Sequence, residues 1–399
     1  MIASGPETEV MLSEHRPAAV EAALAASHSM HRSPRMFEDD GTDAVAGSVR
    51  WKPAKSLWIS AMTAAALIGG PLTVSPSAIA LFLASTATTI CLGHSLGMHR
   101  RLIHRAFDCP LWLERLFVYL GALVGMAGPY GMIRQHDIRD WAQRKAQCHS
   151  YLAHRTSIPR DYWRQLHCEL YLDHPPELVL EPAVAADPFY RWLDRTWMLQ
   201  QLPWALLFFA LGGLPWVIWG IAVRVTLSVT GHWLVGWFAH NRGPRTWHID
   251  GAGVQGYNNG RIVGLLTMGE GWHNNHHAFP ASARLAHEDG ELDPGWWVLM
   301  TLKRFGLAWN VKTPEMLPAR PQLVRIVSSS PLEIGEGRGC RPKRNSAEEI
   351  ATGEGQPLAQ FLCVWRLPFQ ERAARCEVIG CPLSGPSGHL LPSRCEGRR

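Results

Sequence analysis

The chain has 399 residues, of which 47% are hydrophobic and 18% charged, with 18 Trp and a formal net charge of +5. Charged residues make up about a quarter of an ordinary soluble protein; here the shortfall falls in the middle of the chain, which excludes a typical soluble domain and points to a membrane protein with polar extensions. The basic residues gather at the ends of apolar runs rather than on one stripe, which argues against nucleic acid as a partner and suits side chains that face lipid headgroups.

Residues 1–50 are rich in Ser, Pro, Ala and charge without lasting periodicity, and read as a disordered extension. Glu7, Glu9 and Glu14 stand where a basic leader would begin, so no signal peptide is expected. Trp51, Lys52 and Lys55 mark a membrane boundary. Four apolar segments follow that can each cross a bilayer, which takes about 20 residues per helix. Segments 56–74 and 77–97 are joined through Gly69, Gly70, Pro71 and Pro76; segments 198–214 and 215–238 are joined through Gly212, Gly213 and Pro215. Each pair reads as a hairpin. The stretch 116–133 is also long enough, but Gly121, Gly125, Gly128 and Pro129 weaken it as a helix. Histidines lie on both sides of it; if they share one site, it lies in the interface or re-enters.

Lys52, Lys55, Arg100, Arg101, Arg105, Arg134, Arg139, Arg144, Lys145, Arg242 and Arg245 fall on one side of this arrangement, and the opposite turns carry no Lys or Arg. That asymmetry places the histidine-bearing side in the cytoplasm. Residues 295–306 read as a short amphipathic or interfacial helix. The functional domain is expected to span 51–318, with 319–399 as a low-order tail. The nine Cys show no disulfide or zinc spacing.

The histidines carry the sharpest signal. In the run Gly269 to His277, His273, His276 and His277 stand at i, i+3 and i+4. On a helix this spacing puts all three on one face, where imidazoles pack poorly but suit iron, copper or zinc. A second group, His94, His99 and His104, is spaced by five, which fits one helical face only if the helix loosens. His136 and His240 are single residues, and every histidine group falls at a span boundary on the same side. The expected fold is therefore all-α: a polytopic membrane bundle of about four spans in two hairpins, with a cytoplasmic helical cap carrying a histidine-ligated metal centre.

From about Trp51 to Thr313 the sequence resembles the membrane fatty-acyl desaturases, in particular the acyl-CoA desaturase-like branch. His99 and His104 look like that family's first His-x4-His box, and Gly269 to His277, with Phe279-Pro280 after it, looks like its third box. His240 looks like the isolated ligand after the fourth span. The second box, His-x2-His-His, is matched by His136 alone, because Arg139 and Asp140 stand at its other positions; an Asn that assists one iron through water is Gly236 here. Asp140 could supply a carboxylate ligand, and His149 or His154 could fold back. The resemblance implies two iron ions (Fe2+/Fe3+), O2 as co-substrate and metal ligands His99, His104, His136, His240, His273, His276 and His277, to which Asp140 is added as a candidate at the departed position. It further implies insertion of a double bond into a fatty acyl chain, with a hydroxylase on the same scaffold or a catalytically impaired lipid-binding relative as the alternatives.

Arg100, Arg101, Arg134, Arg139 and Lys145 are candidates for an anionic substrate headgroup, with Arg139 expected to turn away from the metal. No fused haem, dinucleotide or iron–sulfur motif is present, so a separate electron donor is implied, a ferredoxin or cytochrome with its reductase. Arg224, deep in a span, is expected to pair within the bundle.

Overall fold

The computed structural model describes residues 35–326. Residues 1–34 and 327–399, which hold most of the expected extension and tail, lie outside the described residues. Residues 35–50 are a correction to the sequence reading, because they are built into the body of the protein. β1 (Met36–Phe37) pairs antiparallel with β4 (Glu177–Leu178), and β2 (Gly47–Trp51) pairs with β3 (Cys168–Leu172). Both partners come from far along the chain, so no local pattern announces them. Arg35 is almost fully buried and binds Asp137, Glu181 and the carbonyls of Leu102 and Ile103.

The rest is mostly helical. α1 (Pro53–Leu72) is 20 residues long, about 30 Å at the usual rise. The chain then turns, and Ser75 Oγ accepts the amide of Ala78 at 3.2 Å to start α2 (Pro76–Thr88). α2 continues as a π-helix over Thr89–Ile103, in which His104 N donates to His99 O, five residues back, at 3.0 Å. α3 (Leu111–Leu123) packs closely on this wide helix. A Cβ on Gly93 would lie 2.4 Å from the backbone of Gly121, and one on Gly97 would lie 2.6 Å from that of Phe117, so both positions need glycine.

The stretch 116–133 is not one helix. It breaks at Gly125, which has φ +89 and whose carbonyl accepts Trp58 Nε1 at 3.0 Å. α4 (Pro129–Gln143) begins after the break. α5 (Ile158–His167) leads into β3, and two short helices, α6 (Pro182–Ala185) and α7 (Pro188–Thr196), follow β4.

The second hairpin runs through α8 (Gln201–Val217), a π stretch over Ile218–Val223, and α9 (Arg224–Asn241). Gly213 (φ 65, ψ −159) reverses the chain, a conformation open to glycine. The reversal is fixed by contacts: Arg224 donates to Gln201 Oε1 at 2.7 Å, and Phe208 lies against Gly220. Arg224 also donates to the carbonyls of Leu123 and Gly220, so its charge is held inside the bundle. Among the described residues, two helical runs, Pro76–Ile103 and Gln201–Asn241, are long and apolar enough to cross a membrane, with mean hydropathy 1.5 and 2.1; the second is folded back on itself at Gly213. Leu57, Leu67, Ile68, Leu72, Leu83, Leu206, Phe209 and Leu211 are exposed on the hairpins, more large apolar side chains than water favours on so few helices.

The cap is completed by β5 (Trp247–Ile249), α10 (Arg261–Leu266), α11 (His273–Ala278) and α12 (Pro294–Arg304). α12 coincides with the expected interfacial helix. β6 (Leu323–Arg325) pairs antiparallel with β5, so ordered structure passes the expected boundary at 318.

Candidate metal centre

Among the described residues, two groups of buried and half-buried imidazoles meet where the hairpins join the cap. His99 and His104 from the π-helix, His136 from α4 and His276 from α11 form the first; their ligating nitrogens all lie within 4.8 Å of one another. The Nε2 atoms of His104 and His136 are 3.2 Å apart. Winding with five-residue hydrogen bonds brings His99 and His104 together, with ring centroids 4.7 Å apart. π-turns of this kind concentrate at functional sites.

His240, His273 and His277 form the second group, again within 4.8 Å. His273 Nε2 is 3.0 Å from that of His240 and 2.9 Å from that of His277. The three histidines of α11 share a face, yet the structure divides them: His276 faces the first group, and His273 and His277 the second. α11 has only six residues and is anchored by the asparagines between its histidines. Asn274 Oδ1 accepts the amides of Thr246 and Trp247, and Asn275 Nδ2 donates to Leu285 O and Glu291.

Carboxylates and carbonyls hold the outer nitrogens. Glu270 Oε2 lies 2.6 Å from His99 Nδ1, Asp137 Oδ1 lies 3.3 Å from His136 Nδ1, and Gly236 O lies 2.7 Å from His240 Nδ1. Such partners fix the ring orientation and tautomer of ligating histidines. Burial raises the Glu270 carboxyl, but His99, with Arg100 and His94, outweighs it and holds the group below its ordinary value. Burial pushes His273 and His276 well below the ordinary imidazole value and His277 down to about 4. The rings are therefore neutral, the form in which imidazole binds a metal.

Asp140 stands beside this assembly and lines the same cavity. Burial raises its carboxyl, but His136, Arg144, His277 and His273 outweigh it and hold the group at about 2. Seven clustered imidazoles with an ionised carboxylate beside them, all buried or half-buried, are a donor set that fits a first-row transition metal centre.

The basic candidates separate. Arg100 is buried; it makes a two-armed ion pair with Asp293 and donates to Ala283 O and Met268 O, so it ties the cap together rather than meeting a headgroup. Arg101 pairs with Glu114 and Asp108, and Lys145 pairs with Glu38 over the Trp141 ring. Arg134 is exposed. Arg139 does not turn away from the site as expected: it lines the cavity and donates to Gln165 Oε1 at 2.9 Å. The polar anchor on α5 draws it inward.

The cavity, about 180 Å³, touches both imidazole groups. Its apolar wall is made by Ile103, Met126, Met132, Leu166, Val229 and Trp233. His94 and His232 also line it, with rings 4.9 Å apart, outside both groups. His232 carried no sequence signal, since it sits alone inside an apolar run. His149 accepts the amide of Tyr151, whereas His154 lines the cavity.

Comparison with known proteins agrees with this geometry. The profile of the fatty acid desaturase family matches residues 75–289, more than half of the chain. The chain is 35% identical over 230 residues to an sn-2 palmitoyl-lipid 9-desaturase of Nostoc sp. (strain 36), covering 55% of this chain and 76% of the relative. It is 33% identical over 243 residues to a chloroplastic palmitoyl-monogalactosyldiacylglycerol delta-7 desaturase of Arabidopsis thaliana, covering 60% of this chain and 62% of the relative. It is 30% identical over 236 residues to an acyl-CoA C20 Delta5-desaturase of Anemone leveillei, covering 57% and 72%. With its buried histidine groups and apolar helices, the chain belongs to the fatty acid desaturase family, whose reaction introduces double bonds into acyl chains.

Proposed function

We propose that the two imidazole groups hold a pair of iron ions and that the cavity beside them receives a fatty acyl chain. The observation that carries this reading is the apolar-walled cavity that His99, His136, His240 and His273 all line. His99, His104, His136 and His276 would hold one ion, and His240, His273, His277 and Asp140 the other. The chemistry supplied at such a centre is removal of two hydrogen atoms from adjacent methylenes, with dioxygen, two electrons and two protons, giving a double bond and two waters. No side chain can abstract an unactivated methylene hydrogen, so the hard step belongs to the cofactor.

The protein's own part is to orient and to exclude water. Glu270, Asp137 and the Gly236 carbonyl set the directions of His99, His136 and His240. Met126, Met132, Leu166, Val229 and Trp233 surround the methylenes and keep the site dry. Electrons come from a separate donor, a ferredoxin or cytochrome with its reductase. For the acyl carrier we infer coenzyme A, with exposed Arg134 as the candidate partner of its phosphates. The four apolar helices cross the membrane as two hairpins, with the histidine side in the cytoplasm, where the basic residues lie.

Iron analysis of the purified protein, with acyl profiling of a desaturase-deficient host that expresses it, tests the reading. About two irons per chain and a new unsaturated acyl species are expected. Zinc as the sole bound metal, or desaturation that survives His276→Ala, would overturn it.

A further inference from the structure

The second imidazole group has three histidines where the first has four, and the sequence places Arg139 and Asp140 at the remaining second-box positions. Of the further imidazoles that line the same cavity, His154 has its ring beside that of His240. His154 is 2% exposed, and its Nε2 is buried without a hydrogen-bond partner. Leaving such an atom unpaired costs about 1–3 kcal/mol, so a fold that keeps it there needs a reason.

The surroundings of His154 are built. Its Nδ1 meets Asp161 Oδ2 at 2.8 Å, and the same oxygen accepts Trp233 Nε1 at 2.9 Å. With the proton held on Nδ1 by that carboxylate, the lone pair is on Nε2. Carboxylate–histidine pairs of this form are the usual support of a metal ligand. The backbone of His154 is left-handed, with φ 52, which costs a non-glycine residue about 1–2 kcal/mol. Asn241 Nδ2 donates to His154 O at 3.2 Å and pins the strained residue beside His240.

The helix opposite leaves room. Gly236 lies one turn before His240, and a Cβ there would stand 3.7 Å from His154 Nε2. The His154 ring lies nearly parallel to that of His240, with centroids 5.3 Å apart. His154 is not part of the 4.8 Å grouping of the other three nitrogens.

Resting on the metal-centre reading above, we propose that His154 is the fourth imidazole donor of the second metal position, admitted by Gly236 and oriented by Asp161 and Trp233. A histidine from the loop after α4 thereby takes over from the missing histidines of α4 itself.

The test is metal stoichiometry of the detergent-purified full chain loaded with ferrous iron or cobalt(II). The wild-type chain should bind two ions. His154→Ala should retain one tightly held ion, with the cobalt absorption of the second position lost. Asp161→Asn, which keeps the side-chain shape, should weaken the second ion about 10- to 100-fold without affecting the first. His276→Ala should show the converse loss, at the first position. Two ions held by His154→Ala with wild-type affinity, or wild-type affinity in a well-folded Asp161→Asn, would overturn the assignment. Absence of metal from the wild-type chain would instead overturn the metal-centre reading itself. If His154→Ala does not fold, the Asp161→Asn affinities decide.

Discussion

Glu270 Oε2 lies 2.6 Å from His99 Nδ1, and its other oxygen accepts Ser95 Oγ at 2.6 Å. The carboxylate thus belongs to the loop before α11 but orients a ligand on the π-helix about 170 residues earlier. It also makes the two histidine-bearing segments depend on each other. Glu270→Gln is expected to lower the affinity of the first metal position about 10- to 100-fold and to leave the second nearly unchanged. Competition with a chelator, read by metal content, measures both.

Asp293 should prove more important to stability than to turnover. It pairs with buried Arg100 and accepts the amides of Leu285 and Trp296. Asp293→Ala leaves the buried guanidinium with only the longer contact to Glu270, 3.6 Å away, and is expected to cost about 3–5 kcal/mol. Thermal unfolding in detergent, before and after loading with iron, measures the loss.

Truncation should separate two boundaries. A chain ending after Ile326 contains every described site residue and is expected to retain both metals. Ending at Pro318 removes Arg320, which donates to His277 O at 2.9 Å, and the β6 strand that pairs with β5. That shorter chain is expected to bind metal more weakly at the second position. Metal content of the two truncations decides; equal content would show that β6 and Arg320 do not support α11.

A pH effect is expected at His287, away from both groups. Burial pushes its imidazole from the ordinary 6.5 down to about 4, although the Arg284 carbonyl opposes this. Between these values the unfolded chain binds a proton that the folded chain does not, so stability falls as pH is lowered from about 6.5 toward about 4. His287→Phe should lose the hydrogen bond to Arg284 O but flatten this slope. Melting temperature against pH for the two proteins is the measurement, and parallel curves would rule out the assignment.

Much was legible in the sequence because it is written locally. Apolar runs with Gly213 between them announce a hairpin, and the spacing of His273, His276 and His277 announces one helical face. Spacing does not say how many centres that face serves. Only the tertiary structure directs His276 to His99, His104 and His136, and turns His273 and His277 toward His240.

The same limit applies elsewhere. The five-residue spacing of His99 and His104 signalled a loosened helix, but close packing of Gly93 and Gly97 on α3 accompanies the π winding. Strands β1 and β2 are short, and their partners lie about 140 and 120 residues away, so their order depends on contacts that no window of sequence contains. Arg139 turned inward because Gln165 of α5 meets it there. His154 is a single histidine in a loop, indistinguishable in sequence from His149; the fold places one on Asp161 in the cavity wall and ties the other to the Tyr151 amide. Periodicity determines which faces are apolar or ligand-bearing, whereas the partner that each face meets is decided by chain reversals and packing between distant segments.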